Sequence, residues 1–411
     1  MNAVDRFLHY VSFDTTSDPH APEEKYPSTD RQLVLLRELK KELSEMGLQA
    51  KMDDFGYVTA TLPANTEGVP TICYISHVDT SPAVSGTGIS PRMIRYEGGD
   101  IQLDEAGQYR IARADNPELA HYEGEELIVT DGRTLLGADD KAGVAEIMSM
   151  LDWFVTHPEI PHGTVKVAFT PDEEIGRGTD HFDVTGFGAD FGYTVDGGEL
   201  GEIEYENFNA AAGRLVISGT SVHPGSAKGK MKNAIELFAA FTAALPSDQT
   251  PATTEGYEGF YMPEEVSGGV EEVTASFIIR DHDRRKFEEK KAHFLALADE
   301  INRRYDCHAV CATVTDSYYN MAEIIGENMF LIDRAKAAMA DCGVTPRVVP
   351  IRGGTDGARL SYMGLPCPNL STGGLNFHGR QEYIPVGSLL KMTDVLIRLT
   401  RLFCGNETAG R

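Results

Sequence analysis

The chain has 411 residues, more than one ordinary domain holds, so two domains are the expectation. Hydrophobic residues make up 41% and aromatics 9%, enough for packed cores and against disorder. Lys and Arg number 37 against 63 Asp and Glu, a formal net charge of −26 that repels phosphate backbones and anionic lipid. Neither nucleic acid nor a membrane is therefore an expected partner.

The acids are spread along the chain rather than gathered in a tail, which reads as solubility. Residues 1–18 begin with an amphipathic pattern (Val4, Phe7, Leu8, Val11) that carries Asp5 and Arg6 and lacks the apolar core of a signal peptide. No run of about 18 apolar residues marks a transmembrane helix. Cys307 and Cys311 flank His308, but within a strand-like alternation, so free buried thiols are the expectation rather than metal ligands. These features point to a cytoplasmic protein.

Residues 29–47 predict a helix, with Leu35, Leu36, Leu39, Leu43 and Met46 on its apolar side and Gly47 as its stop. Residues 58–62 and 71–76 read as strands, the second leading into His77-Val78-Asp79. Residues 81–126 are rich in Gly and Pro and read as a surface excursion. A short strand at 127–130, a turn at 131–138 and a helix at 143–157 follow. Residues 164–169 alternate Val165, Val167 and Phe169 with other residues at strand period, and another strand spans 191–195. Strands with buried interiors separated by helices imply an α/β sheet.

The pattern changes near Asn207. Strands at 212–219, 256–262, 270–280 and 308–315, with helices at 233–245 and 284–305, give the order βαββαβ. This is a ferredoxin-like domain inserted at 208–320 into a larger domain made of 1–207 and 321–411. The larger domain resumes with a helix at 328–342, a strand at 345–350 and a final helix at 387–404.

Acids and histidines gather at element ends of the larger domain. His77 and Asp79 follow one strand, Glu173 and Glu174 a second, and Asp196 a third. Asp139 and Asp140 precede a helix, where anionic groups are favoured. His378 sits in a Gly-rich loop. Ligand crevices in open α/β sheets lie outside the carboxyl ends of the strands. Two imidazoles with several carboxylates suit zinc, cobalt or manganese better than calcium. Side chains of adjacent residues past a strand end point in different directions, so one of Glu173 and Glu174 is free to bind metal while the other faces the reacting atoms.

The segments SHVDT, GADDKAG, TPDEEIG, TVDGG and LNFHG, in that order, resemble the metal-site motifs of the co-catalytic zinc exopeptidase family, which includes aminoacylases and bacterial glutamate carboxypeptidase. The segments ENFNA, SVHPGSAKGKMKNA, FIIRDHD and PIRGGTDGARLS extend the resemblance over nearly the whole chain, toward the family's aminotripeptidases. The resemblance implies a catalytic domain with a mixed central sheet flanked by helices, the inserted domain acting as a lid. It implies two Zn2+ per subunit, with Co2+ or Mn2+ as substitutes. His77 and Asp196 would hold one ion and Glu174 and His378 the other. Asp139 would bridge them through a peptide bond to Asp140 that is cis in this family. Asp79 would orient His77, and Glu173 would be the general base.

The implied activity is removal of the N-terminal residue from tripeptides, with hydrolysis of N-acyl amino acids or other small amides as the alternative. His223 is expected to stabilise the oxyanion, in cis or from a partner in a homodimer. Arg280 and Arg352 are candidates for the peptide's terminal carboxylate, against the alternative of surface pairing with Asp281, Asp283 or Asp356. Asn376 is a candidate for the substrate backbone. Lys141 is expected to be structural, paired with a neighbouring Asp.

Overall fold

The computed structural model describes residues 1–405. Its chain divides into two units. The first holds Met1–Tyr205, Glu323–Val349 and the chain from Thr355 on, and the second holds Glu206–Ala322 with Pro350–Gly354. The short segment 350–354, which the sequence assigns to the larger body, groups with the insertion.

The first unit is built on an eight-stranded mixed sheet. Its order is Gln49–Met52, Val58–Leu62, Val165–Thr170, Ile72–His77, Phe191–Val195, Asn369–Leu370, Glu202–Glu204 and Arg347–Val348. The central strands Val165–Thr170, Ile72–His77 and Phe191–Val195 run parallel, with His77 opposite Thr170 and Ile75 opposite Thr194. Ile72–His77 is buried at every position, as a strand covered on both faces must be. Because the three run parallel, their carboxyl ends share one edge, and His77, the Glu173-Glu174 turn and Asp196 emerge there together.

Helix Ala138–Thr156 packs against this sheet and is buried around its circumference from Asp140 to Leu151. It starts earlier than the periodicity predicts, and Asp139 and Asp140 at its head are non-helical, joined by a cis peptide bond. Within the buried stretch, both carboxylate oxygens of Glu146 lack a hydrogen-bond partner among the described residues.

Residues 81–126 do not form a plain surface excursion. Arg92–Arg95 pairs with Glu126–Val129, which pairs with Tyr383–Pro385, giving a three-stranded sheet. Tyr96, Ile101, Leu103, Ile111, Leu119 and Tyr383 pack beneath it as a separate small core. The sequence predicts the middle strand, at 127–130, but Arg92–Arg95 and Tyr383–Pro385 are too short to display a period of two and go unseen there. The helix Asp356–Tyr362 is likewise absent from the sequence reading, since two turns are too short to set a period.

The second unit follows βαββαβ, from strands Asn209–Ser218, Phe260–Gly268, Glu272–Asp281 and Val310–Tyr318 and helices Ala234–Ala244 and Arg284–Arg304. Its antiparallel sheet runs in the order third strand flanked by the second and first, with the last strand outside the first. Burial alternates along Glu272–Asp281, and the inward face meets Phe241, Phe287 and Phe294 from the helices. Cys307 is buried as expected, but Cys311 faces outward and is exposed. Among the described residues, no helix is long and apolar enough to cross a membrane.

Burial pushes the Glu146 carboxyl well above the usual range and so favours its neutral form. A raised folded value means its contribution to stability is intact below the unfolded value of about 4.3 and is lost as pH rises. Glu146→Leu is expected to raise stability by about 1–3 kcal/mol, more at pH 8 than at pH 5. Calorimetry at both pH values checks this, and a lower Tm at pH 8 contradicts it.

Candidate metal centre

His77 ends the central strand with its backbone N–H donating to Asp140 Oδ2 at 3.1 Å. Its ring Nδ1 lies 3.1 Å from the Asp79 carbonyl oxygen and 3.3 Å from Asp79 Oδ1. Two acceptors on Nδ1 fix the proton there and leave Nε2 to bind a cation. Nε2 sits 2.9 Å from Asp139 Oδ1 and 3.5 Å from Asp196 Oδ1. The Asp79 carboxylate also accepts the backbone N–H of Glu173 at 3.0 Å and of Glu174 at 3.2 Å. One fully buried acid thus ties the histidine's strand end to the glutamates' turn.

That turn is braced from behind. Asp172 adopts a left-handed φ of 60°, which an Asp tolerates better than most residues. Its carboxylate accepts from Ser28 N–H at 2.6 Å, from the Ser28 hydroxyl, and from Gln32 Nε2 at 2.7 Å. Gln32 Oε1 accepts the Asp172 N–H at 3.1 Å in return. Glu174 Oε2 then meets His378 Nε2 at 2.9 Å, and Glu174 Oε1 is buried without a partner among the described residues.

His378 stands on a loop in which it and Asn376 both have φ of 59°. Left-handed backbone at two such positions costs roughly 1 kcal/mol or more each, so the surrounding contacts hold it. His378 Nε2 reaches Asp139 Oδ2 at 2.9 Å. Asp196 is placed by its N–H on Leu370 O at 2.9 Å and by Asn369 Nδ2 on its own carbonyl at 2.7 Å.

Two groups of ligand atoms result. His77, Asp139 and Asp196 form one, and Asp139, Glu174 and His378 the other, each with ligand atoms within 4.8 Å of one another. Asp139 belongs to both, one oxygen facing each imidazole. Imidazole and carboxylate donors, with one buried carboxylate oxygen unsatisfied, fit a pair of divalent cations such as zinc, cobalt or manganese.

Electrostatics separates the acids. Burial opposes ionisation of Asp139, but His378 and His77 outweigh it and hold the carboxyl below its usual range. Asp139 and Glu174 beside His378 push its imidazole up to about 11. Burial pushes the Glu174 carboxyl up to about 8. Burial also pushes Glu173 well above the carboxylate range, with Asp196, Asp356 and Glu174 adding repulsion. Glu173 Oε2 stands 4.0 Å from His77 Nε2 and belongs to neither ligand group.

The remaining candidates are dispersed. His223, Arg280 and Arg352 belong to the second unit. His223 is exposed, its Nδ1 accepting the Gly225 N–H at 3.1 Å. Arg280 donates to Ala211 O at 3.1 Å and Ile279 O at 2.9 Å and lies over the Tyr318 ring. Arg352 donates to Gly256 O at 2.8 Å, Glu258 O at 3.1 Å and Thr254 Oγ1 at 2.9 Å. The guanidinium groups therefore engage carbonyls and rings rather than the pairing with Asp281, Asp283 or Asp356 that the sequence offers as the alternative. Asp356 is buried and accepts from Thr170 Oγ1 at 3.2 Å. Asn376 donates to Asn116 Oδ1 at 2.7 Å and Gln381 O at 3.2 Å, bracing its loop. Lys141 is fully buried and donates to Phe13 O at 2.8 Å, with no hydrogen bond to Asp139 or Asp140 beside it among the described residues.

Sequence reasoning misses Asp172, Asn369 and Glu382. Glu382 accepts the backbone N–H groups of Leu136, Gly137, Ala138 and Asp139. Each acts on a segment remote in the chain, and no local spacing signals it.

Residues 205–306 match the family model described as a peptidase dimerisation domain. The fold is that of the aminopeptidase PepT from Bacillus cereus, with a TM-score of 0.76, 26% identity and 98% of both chains covered. A tripeptidase from Staphylococcus aureus shares the fold at a TM-score of 0.77 and 22% identity, over 98% of both chains. Fold and paired donor groups together are those of a metal-dependent peptidase, and a dinuclear metal-binding peptidase of the M20 family from Bacillus subtilis shares the fold, at a TM-score of 0.66 and 13% identity, over 97% of both chains. Peptidase T of Alkaliphilus oremlandii is 51% identical over 407 residues, covering 98% of this chain and 99% of that protein. The chain belongs to the peptidase T family.

The Asp172 brace generates an expectation of its own. Asp172→Ala is expected to leave the chain folded and to lower kcat on peptides by about tenfold to a hundredfold, by letting the turn drift. Steady-state kinetics on the folded variant checks this, and a wild-type kcat contradicts it.

Proposed function

We propose that this chain is an aminopeptidase that removes the N-terminal residue of tripeptides at a dinuclear zinc centre. The observation that carries the reading is the Asp139 carboxylate shared by two donor groups, with the unligated acid Glu173 beside them. Membership of the peptidase T family and the 26% identical aminopeptidase from B. cereus support the aminopeptidase class. The sequence pattern of the family's aminotripeptidases supports the substrate length.

In this reading His77 and Asp196 would hold one ion and Glu174 and His378 the other, with Asp139 available to both. When bound, the ion pair lowers the pKa of water and polarises the scissile carbonyl. Glu173 takes the proton of the attacking water and delivers it to the leaving amine nitrogen. A carboxyl already pushed upward by burial is suited to hold that proton between the two transfers. Asp79 keeps the Nδ1 proton on His77 and holds the Glu173-Glu174 turn by its amides. The first unit carries this chemistry. We assign the second unit the role of a lid, with His223 stabilising the oxyanion and Arg280 taking the substrate's terminal carboxylate. Arg352 and Asn376 complete the substrate contacts. The match to a peptidase dimerisation domain supports a homodimer.

Release of free amino acid from a tripeptide is expected to exceed that from a dipeptide, a tetrapeptide or a C-amidated tripeptide. Equal rates on all four overturn the length and terminus assignment, and turnover of acetyl-amino acids alone moves the chain to the amidohydrolases. The two adjacent glutamates are expected to behave differently. Glu173→Gln keeps its metal and loses about 10²–10⁴ in kcat, whereas Glu174→Ala loses metal. Metal content by mass spectrometry beside kinetics checks both, and a Glu173→Gln variant with normal turnover removes it from the base role.

A further inference from the structure

Glu382 takes no part in the reaction above, yet its carboxylate is buried, with the residue only 1% exposed. Its oxygens accept four consecutive backbone amides. Oε2 takes Leu136 N–H at 2.7 Å and Gly137 N–H at 2.8 Å, and Oε1 takes Ala138 N–H at 2.7 Å and Asp139 N–H at 3.2 Å. Gly137 has φ of 78°, the left-handed turn that lets successive N–H groups converge on one anion. An ionised carboxylate offers about four acceptor sites in a planar fork, and no other side chain does. Glutamine keeps one oxygen and would aim an NH2 group at two amide donors.

The fork also joins two parts of the metal centre. Asp139, the residue shared by both donor groups, is the last of the four amides. His378 lies four residues before Glu382 on the same segment, which strand Tyr383–Pro385 anchors. The contact therefore sets the Asp139 backbone relative to the His378 loop. We propose that Glu382 is a positioning residue that holds Asp139 where its two oxygens address both donor groups. This rests on the metallopeptidase reading given above.

The test uses metal-free full-length protein titrated with Co2+, followed by visible absorption, for wild type, Glu382→Gln, Glu382→Asp and Glu382→Ala. Partners outside the ligand set are typically worth about tenfold to a hundredfold in metal affinity. The Gln variant is expected to need at least about tenfold more Co2+ for half-saturation and to show an altered absorption band. At saturating metal its kcat falls while KM stays within about twofold. The Asp variant, which keeps the fork on a shorter stem, is expected to fall between wild type and Gln. Thermal melts of the metal-free proteins separate fold from site. A Gln variant whose Co2+ titration and spectrum match wild type overturns the proposal, whatever its Tm and whether or not the Ala variant folds. A wild-type chain that takes up no Co2+ overturns the metal reading and this one with it.

Discussion

One carboxylate within hydrogen-bond distance of two imidazoles is the constraint on which the first unit depends. Asp139 faces His77 with one oxygen and His378 with the other, each at 2.9 Å. To satisfy both, segments around residues 77, 139, 174, 196 and 378 must meet within a few ångströms. The parallel sheet brings three of them to one edge at no extra conformational cost, because strand ends align by register. The other two need separate devices: a non-helical head on Ala138–Thr156 and a loop with two left-handed residues.

Concentrating that many acids in a buried site is costly unless charges pair. The pairing is uneven. Asp139 has two imidazoles that outweigh its burial and hold its carboxyl below the usual range, while burial pushes the Glu173 carboxyl up, with Asp196, Asp356 and Glu174 adding repulsion. The two glutamates of one turn are alike in the sequence and unlike in their surroundings.

What the sequence reveals follows from how far each cause extends along the chain. Val165, Val167 and Phe169 announce a strand because their cause is local alternation, and the βαββαβ order follows from the same reading. The acids after strand ends announce a site because the geometry of parallel sheets is general. Asp172 is printed next to Glu173, but its reason lies at Ser28 and Gln32, well over a hundred residues away, and no periodicity connects them. Arg352 reads as a carboxylate receptor in a Gly-rich segment. The carbonyls of 256 and 258 that position its guanidinium lie far off in the chain, and the sequence gives no sign of them. Of the sheet formed by 92–95, 126–129 and 383–385 only the middle strand is legible, since the outer two are short and one arrives from the far end of the chain.

The asparagines at the base of the second unit have one more implication. Asn207 N–H donates to Asn320 Oδ1 at 3.1 Å, Asn207 Oδ1 accepts Met321 N–H at 2.8 Å, and Asn320 N–H donates to Asn209 Oδ1 at 3.0 Å. The two ends of Glu206–Ala322 are thus laced together by amides, and only the short segment 350–354 joins that unit from elsewhere. A segment of more than a hundred residues is in effect a side loop with a closed neck. Such a neck keeps the two ends of that segment side by side, so its length puts no stretch on the polypeptide that flanks it.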